Sequence, residues 1–179
     1  SEMCIRDSGS IGRETAGLFK MMGCQISCFD VLTPDPIEAG KVNAQICDLP
    51  TLLSQSDIVS IHVPLTDVTN GLISDIELQK MKKNAILVNA ARGGIVNEHA
   101  LAAALEKGLI KGAVVDVYSQ EPALSDNPLL NLSQPAMERV FFSPHIAGIT
   151  KQSWTYLFQK SWQNLALYFD NEPLSDRQI

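Results

Sequence analysis

The stretch GSIGRETAGLFKMMGCQISCFD, residues 9–30, decides the fold. It opens on Gly9-Ser10-Ile11-Gly12 and runs through Arg13–Met22 with Ala16, Phe19 and Met22 at helical spacing. Gly23 stands where a left-handed residue ends a helix, and Gln25–Asp30 then reads as a short apolar strand closed by an acid. A glycine turn that opens a helix presents free backbone N–H groups to a phosphate. The full dinucleotide fingerprint would need glycine at position 7, where this sequence has Asp7, so a plain glycine turn stays open on these residues alone. Asp30 lies 18 residues beyond Gly12, near the interval of about 20 at which a carboxylate accepts the ribose hydroxyls of NAD. It would repel the extra phosphate of NADP, and Val31-Leu32-Thr33 supplies no Arg or Lys to hold one, so NAD is the expected cofactor. A strand-end Asp that starts a turn is the other reading.

Working outward, the same switch from an apolar run to a polar residue recurs. It is found at Ile58–Pro64, Ile86–Arg92, Ala113–Asp116 with Glu121 following, and Val140–His145. Strands at Gln25–Asp30, Asn43–Cys47, Ile58–Val63, Ala85–Ala90, Gly112–Val117 and Val140–Phe142 alternate with helical patterns, which predicts an α/β fold with a doubly wound parallel sheet, Rossmann-like. In such a sheet ligands sit beyond the carboxyl ends of the strands, so these polar residues are expected to converge on one cleft. Asp48, Ser74 with Glu77, and Asn97 are expected helix caps, and Glu121–Arg139 is expected to be a long, partly irregular connection. Gln152–Phe169 places Trp154, Leu157, Phe158, Trp162, Leu165, Tyr168 and Phe169 on one helical stripe, which is expected to bury against something, including a part of the protein outside this sequence.

The first strand is the weak point. Only Met3, Cys4 and Ile5 are apolar before Arg6-Asp7, so residues 1–8 read as non-native or as a degraded first strand. The sheet then either recruits Met3–Ile5 as a makeshift strand or stands exposed along its middle.

Bulk properties exclude several classes. With 179 residues, 45% hydrophobic and 19% charged, the chain is long enough for one well-packed core. A net charge of −6 without a Lys/Arg cluster argues against a nucleic-acid partner. No apolar run approaches the roughly 18 residues of a membrane span. Cys4, Cys24, Cys28 and Cys47 have no local histidine partner and read as small apolar residues, so no metal site is expected and a reducing cytoplasm is the expected compartment.

Three residues carry the expected chemistry. Arg92 follows an apolar strand and precedes Gly93-Gly94. Its planar fork suits a carboxylate, and the glycines would let a substrate approach the backbone; a solvated turn arginine is the alternative. Glu121 and His145 matter as a pair. Hydride delivered to a ketone leaves an alkoxide that needs a proton, which a histidine supplies near neutral pH, and an adjacent carboxylate favours the imidazolium. His99 reads as incidental on an exposed helix. His62 stands at a strand end, where backbone contact with a cofactor suits it better than chemistry.

These blocks resemble the cofactor domain of the D-isomer-specific 2-hydroxyacid dehydrogenases. The match covers about Gly9 to Glu172 and rests on five ordered blocks: residues 9–16, His62–Thr66, Asn89–Glu98, Asp116–Pro122 and Ser143–Gly148. The resemblance implies Arg92 as clamp on the substrate carboxylate and carbonyl, His145 as proton donor and acceptor, and Glu121 as its orienting carboxylate. It implies NAD held by Gly9, Ser10, Ile11, Gly12 and Asp30, with Val63, Pro64 and Thr69 lining the adenine-ribose side. Ala90 and Ala91 would flank the nicotinamide, and Asp116 would bind its carboxamide. A small 2-oxoacid or 2-hydroxyacid substrate and a homodimer formed through the NAD-binding domain are implied as partners. Family members carry about half of a substrate domain before the first glycine motif, and none precedes it here. The expectation is therefore a chain shortened at its start, with residues 9–150 as the NAD-binding domain and 151–179 as a helix and tail on the substrate-domain side. Such a piece would bind NAD weakly and catalyse nothing alone. An NAD-sensing module of the corepressor type, built on the same fold, remains the rival reading; the acidic charge and lack of a basic tail weigh against it.

Overall fold

A computed structural model describes residues 2–6, 10–30 and 36–175; Gly9, Asp7 and Val31-Leu32-Thr33 lie outside the described residues. The chain forms two compact units, Ser1–His145 and Ile146–Ile179. In the first, seven strands form one sheet: β1 (Glu2–Arg6), β2 (Gln25–Phe29), β3 (Gln45–Ile46), β4 (Ile58–Ile61), β5 (Ile86–Asn89), β6 (Gly112–Val115) and β7 (Val140–Phe142). All pairs are parallel and the order is β3-β2-β1-β4-β5-β6-β7. The order reverses between β1 and β4, the switch point at which a doubly wound sheet opens its crevice.

Of the two outcomes open for the first strand, the sheet takes the pairing one. Glu2–Arg6 pairs with Gln25–Phe29 on one side, and Met3–Arg6 pairs with Ile58–Ile61 on the other. The middle of the sheet is therefore closed, and Arg6 belongs to the strand rather than ending it. Strand pairing satisfies the backbone whatever the side chain, so the two neighbouring strands recruit a sequence that is unconvincing by itself.

Helices form at the glycine turn and behind each expected cap, with two short ones that carry no such signal. The helices are α1 (Ser10–Met21), α2 (Pro36–Lys41), α3 (Leu49–Gln55), α4 (Asp75–Lys80), α5 (Glu98–Glu106) and α6 (Gln134–Met137), with a 3₁₀ turn at Pro128–Asn131. Asp48 and Asn97 cap α3 and α5 by accepting the N–H groups of Thr51 at 2.8 Å and Ala100 at 3.0 Å. Glu77 accepts the N–H of Ser74 at 3.2 Å in front of α4. The main core lies where α3, α4 and α5 cover β4, β5 and β6, with Leu52, Leu53, Leu87, Ile95, Leu101 and Leu105 fully buried. Strands buried on both faces read as continuous apolar runs, which is why β4 to β6 stand out in the sequence. A smaller cluster joins Ala16 of α1 to Ile26 of β2.

The second unit holds α7 (Lys151–Phe169), capped by Thr150, whose hydroxyl accepts the N–H of Ser153 at 3.0 Å. Its stripe is present, with Trp154 stacked on Phe158 at 5.6 Å between ring centres. No residue of α7 is buried in this chain. Among the described residues no helix is long and apolar enough to cross a membrane.

Candidate active site

Parallel strands all end on one side of a sheet, so the residues that follow β2, β4, β5, β6 and β7 share an edge. At that edge β6 runs into Asp116, Val117 and Tyr118, and β7 runs into Ser143, Pro144 and His145. The two segments meet. His145 Nδ1 lies 2.6 Å from Glu121 Oε2, with both side chains partly open to solvent. An Nδ1–H that donates to a carboxylate fixes the tautomer and leaves Nε2 for proton exchange.

Several contacts build this pair. The Tyr118 N–H donates to Glu121 Oε1 at 3.0 Å, so both carboxylate oxygens are engaged. The hydrogen bond from His145, and then that from the Tyr118 N–H, hold the Glu121 carboxyl below the usual carboxylate range. It is therefore ionised throughout neutral pH. Tyr118 Oη donates to the carbonyl of Ser143 at 3.2 Å, tying the β6 loop to the β7 loop two residues before His145. Burial, and then the charges of Asp116, Glu121 and Glu98, push the Tyr118 hydroxyl up, which keeps it a neutral donor. His145 itself sits at φ 56°, the left-handed region that only a few per cent of non-glycine residues occupy. Beside the pair lies a largely apolar cavity of about 490 Å³, bordered by Tyr118, Pro122, Leu130 and Phe142 as well as Glu121 and His145.

Arg92 is exposed in the turn after β5, with Nη1 donating to the carbonyl of Ala91 at 2.6 Å. The buried Asn89 shapes that turn from beneath, accepting the Ala91 N–H at 3.2 Å and donating to the Arg92 carbonyl at 3.1 Å. Gly93 has a different role from the one its sequence suggested. A Cβ there would stand 1.8 Å from the Tyr118 carbonyl oxygen, so the space is filled by the β6 loop rather than left for a substrate. The Arg92 turn and the Glu121 loop are thus packed backbone against backbone.

The described residues expected to hold a cofactor fall along the same edge. Ser10, Ile11 and Gly12 form the first turn of α1, whose leading N–H groups have no intrahelical acceptor. Asp30 follows β2, and Val63 and Pro64 follow β4, the valine buried and the proline exposed. Ala90 and Ala91 follow β5, and the buried Asp116 follows β6, where it accepts the Ser143 hydroxyl at 2.5 Å. Thr69 is buried, but its hydroxyl donates to the Pro64 carbonyl at 2.7 Å and accepts the Thr66 N–H at 2.7 Å, so it shapes the loop. A helix start, a carboxylate one strand away and small alanines beyond the switch point are a donor set and a space that suit a dinucleotide.

His62 is the competing imidazole. Its Nε2 lies 2.9 Å from the Ser60 hydroxyl, and burial lowers its pKa from the usual 6.5. The unfolded chain therefore takes up a proton between that value and the lower folded one. The His62 contribution to stability is complete above about 6.5 and is lost as the pH falls below it. NMR titration of the imidazole should place His62 below 6.5, and a midpoint at or above that value would refute the assignment. Cys28 is buried, and burial followed by the nearby Cys47 and Asp30 pushes its thiol up, which fits an inert core cysteine. Among the described residues no group of three or more His, Cys, Asp or Glu side chains could hold a metal ion.

Asn89, Tyr118 and Ser143 were not singled out from the sequence. Asn89 had a visible signal, a polar side chain closing an apolar strand; the other two act through partners 25 residues away.

Comparison with known proteins agrees with this fold. The profile described as D-isomer specific 2-hydroxyacid dehydrogenase, NAD binding domain, matches residues 1–147. A D-3-phosphoglycerate dehydrogenase from Archaeoglobus fulgidus is 40% identical over 156 residues, covering 85% of this chain and 29% of that protein. A glycerate dehydrogenase from Methylorubrum extorquens is 36% identical over 173 residues, covering 97% of this chain and 51% of that protein. The solved D-lactate dehydrogenase with NAD+ from Lactobacillus jensenii superposes with a TM-score of 0.83 at 29% identity, over 97% of this chain and 54% of the other. The chain thus spans about half the length, or less, of these relatives. By this match and this architecture, the chain belongs to the D-isomer specific 2-hydroxyacid dehydrogenases and is an NAD-binding domain of that family.

Proposed function

We propose that the protein interconverts a D-2-hydroxyacid and its 2-oxoacid, with Arg92, Glu121 and His145 as the working groups. The observation that carries this reading is the 2.6 Å contact between His145 Nδ1 and Glu121 at the carboxyl edge of the sheet. NAD, when bound, supplies or accepts the hydride at the substrate C2. Arg92 binds the substrate carboxylate through its fork and polarises the neighbouring carbonyl. His145 donates the Nε2 proton to the developing alkoxide in reduction and takes it back in oxidation. Glu121 stays ionised and holds the ring in the productive tautomer. Ser10, Ile11 and Gly12 would cradle the pyrophosphate, Asp30 the adenosine ribose and Asp116 the carboxamide.

Reduction consumes a proton that His145 delivers, so its rate depends on pH. Glu121→Gln removes the carboxylate that holds the ring, and the pH profile of reduction should then shift. An unmoved profile would remove Glu121 from its role. Steady-state assays on glyoxylate, hydroxypyruvate and pyruvate with NADH, alongside calorimetric titration with NAD, test the whole reading. Tight NAD binding with no turnover of any 2-oxoacid would favour the NAD-sensing module instead.

The remaining assignments rest on resemblance. Residues 9–150 act as the cofactor domain, and the apolar stripe of α7 belongs on the substrate-domain side. The protein pairs with a second copy through the cofactor domain, which sedimentation would test, and works in the cytoplasm.

A further inference from the structure

The β6 loop that carries Glu121 is held from outside the reacting groups by one carboxylate. Glu98, in the first turn of α5, accepts the Ser119 N–H at 2.7 Å on one oxygen. Its other oxygen accepts the Ser119 hydroxyl at 2.6 Å and the Asn127 side-chain amide at 3.0 Å. Ser119 is adjacent to Tyr118, whose N–H engages Glu121, and stands two residues before Glu121 itself. Asn127 is buried and committed elsewhere: its Oδ1 accepts the Leu129 N–H at 2.9 Å, and its carbonyl accepts the Asn131 amide at 2.9 Å. The far end of the connection is therefore fixed, and Glu98 bridges it to the residues beside Glu121. Glu98 and Asn89, which shapes the Arg92 turn, also border the same small void of about 10 Å³.

We propose that Glu98 is a positioning residue: by gripping Ser119 and Asn127 it sets the loop so that Glu121 reaches His145 Nδ1. This rests on the reading of Glu121 and His145 as the proton-transfer pair. A carboxylate is suited to the task because it accepts from three donors at once, and charge-assisted hydrogen bonds are shorter and stronger than neutral ones. Glutamine keeps one acceptor oxygen for the Ser119 N–H but turns an amide toward the Asn127 amide, so it restores part of the grip.

The test uses Glu98→Ala, Glu98→Gln and Glu121→Gln, each assayed for the kcat, KM and pH profile of 2-oxoacid reduction, for melting temperature, and for the NMR signal of the His145 Nδ1 proton. Glu98→Ala is expected to lower kcat roughly 10- to 100-fold, the scale of an ångström misplacement. It should move the pH profile in the same direction as Glu121→Gln and broaden the Nδ1 proton, while KM for NADH changes less than about twofold. Glu98→Gln should fall between. Added to Glu121→Gln, Glu98→Ala should have little further effect, because both act through one contact. A folded Glu98→Ala or Glu98→Gln protein with an unmoved pH profile and an unchanged Nδ1 signal, while Glu121→Gln does shift the profile, would overturn the positioning role alone. An unmoved profile in Glu121→Gln would instead overturn the reading beneath it. The proton signal needs no turnover, so it decides the matter even for a variant too slow to assay.

Discussion

On the proposed reading, His145→Ala should lower the turnover of 2-oxoacid reduction by roughly 10²–10⁴-fold, the contribution of a positioned general acid. The expectation comes from placement rather than from residue type. The ring is fixed by the 2.6 Å contact to Glu121, by a left-handed backbone at φ 56°, and by the Tyr118 hydroxyl on the Ser143 carbonyl. Three constraints from two loops thus hold the ring. Truncation to alanine removes that group and leaves the residues at the other strand ends in place. NADH affinity should therefore change little while kcat falls. Stopped-flow and steady-state measurements on the whole gene product would show the split, and an undiminished rate with glyoxylate, hydroxypyruvate or pyruvate would end the proposal.

The second large effect is steric. Gly93→Ala would place a methyl group 1.8 Å from the Tyr118 carbonyl oxygen, 2.0 Å from its carbon and 2.6 Å from the Ser119 nitrogen. Those atoms are backbone and cannot swing aside, so the Arg92 turn and the Tyr118–Glu121 loop must separate. Overpacking of this kind costs typically about 1–3 kcal/mol. The functional loss should be greater, since Arg92 on one side and Glu121 on the other are both displaced; a fall of roughly 100-fold or more in kcat/KM is expected. Gly17→Ala is the internal control, because nothing lies within 4 Å of a Cβ there and the residue is inside α1. It should keep or raise the melting temperature, by the helix propensity of alanine over glycine. Equal behaviour of the two variants would show that the contact between the loops does not matter.

How far the sequence reveals this molecule follows from which forces act locally. Strands β4, β5 and β6 are legible because both faces are buried, so the apolar run and its polar end coincide with the strand and the cleft. The caps at Asp48 and Asn97 are legible because a cap and its target lie three residues apart. Strand β1 is not, because its place is set by pairing with Gln25–Phe29 and Ile58–Ile61 and not by its own composition. Glu121 and His145 could be named from their motifs, and their contact spans 24 residues without any local trace. Glu98 is opaque for the same reason, since Ser119 and Asn127 lie 21 and 29 residues away. Gly93 was visible as a glycine, but only the fold reveals that a carbonyl, and no substrate, occupies the missing side chain's place.

The placement of the tryptophans has a practical corollary. Trp154 and Trp162 are the two tryptophans of the sequence, both stand in α7, and they are 47% and 68% exposed. Ultraviolet-excited emission at the red edge therefore reports a single helix. Unfolding of the nucleotide-binding sheet passes with little change in that colour, whereas any surface that covers the helix shifts it toward the blue. Fluorescence melting curves of this chain would thus follow α7, and circular dichroism would be needed to follow the rest.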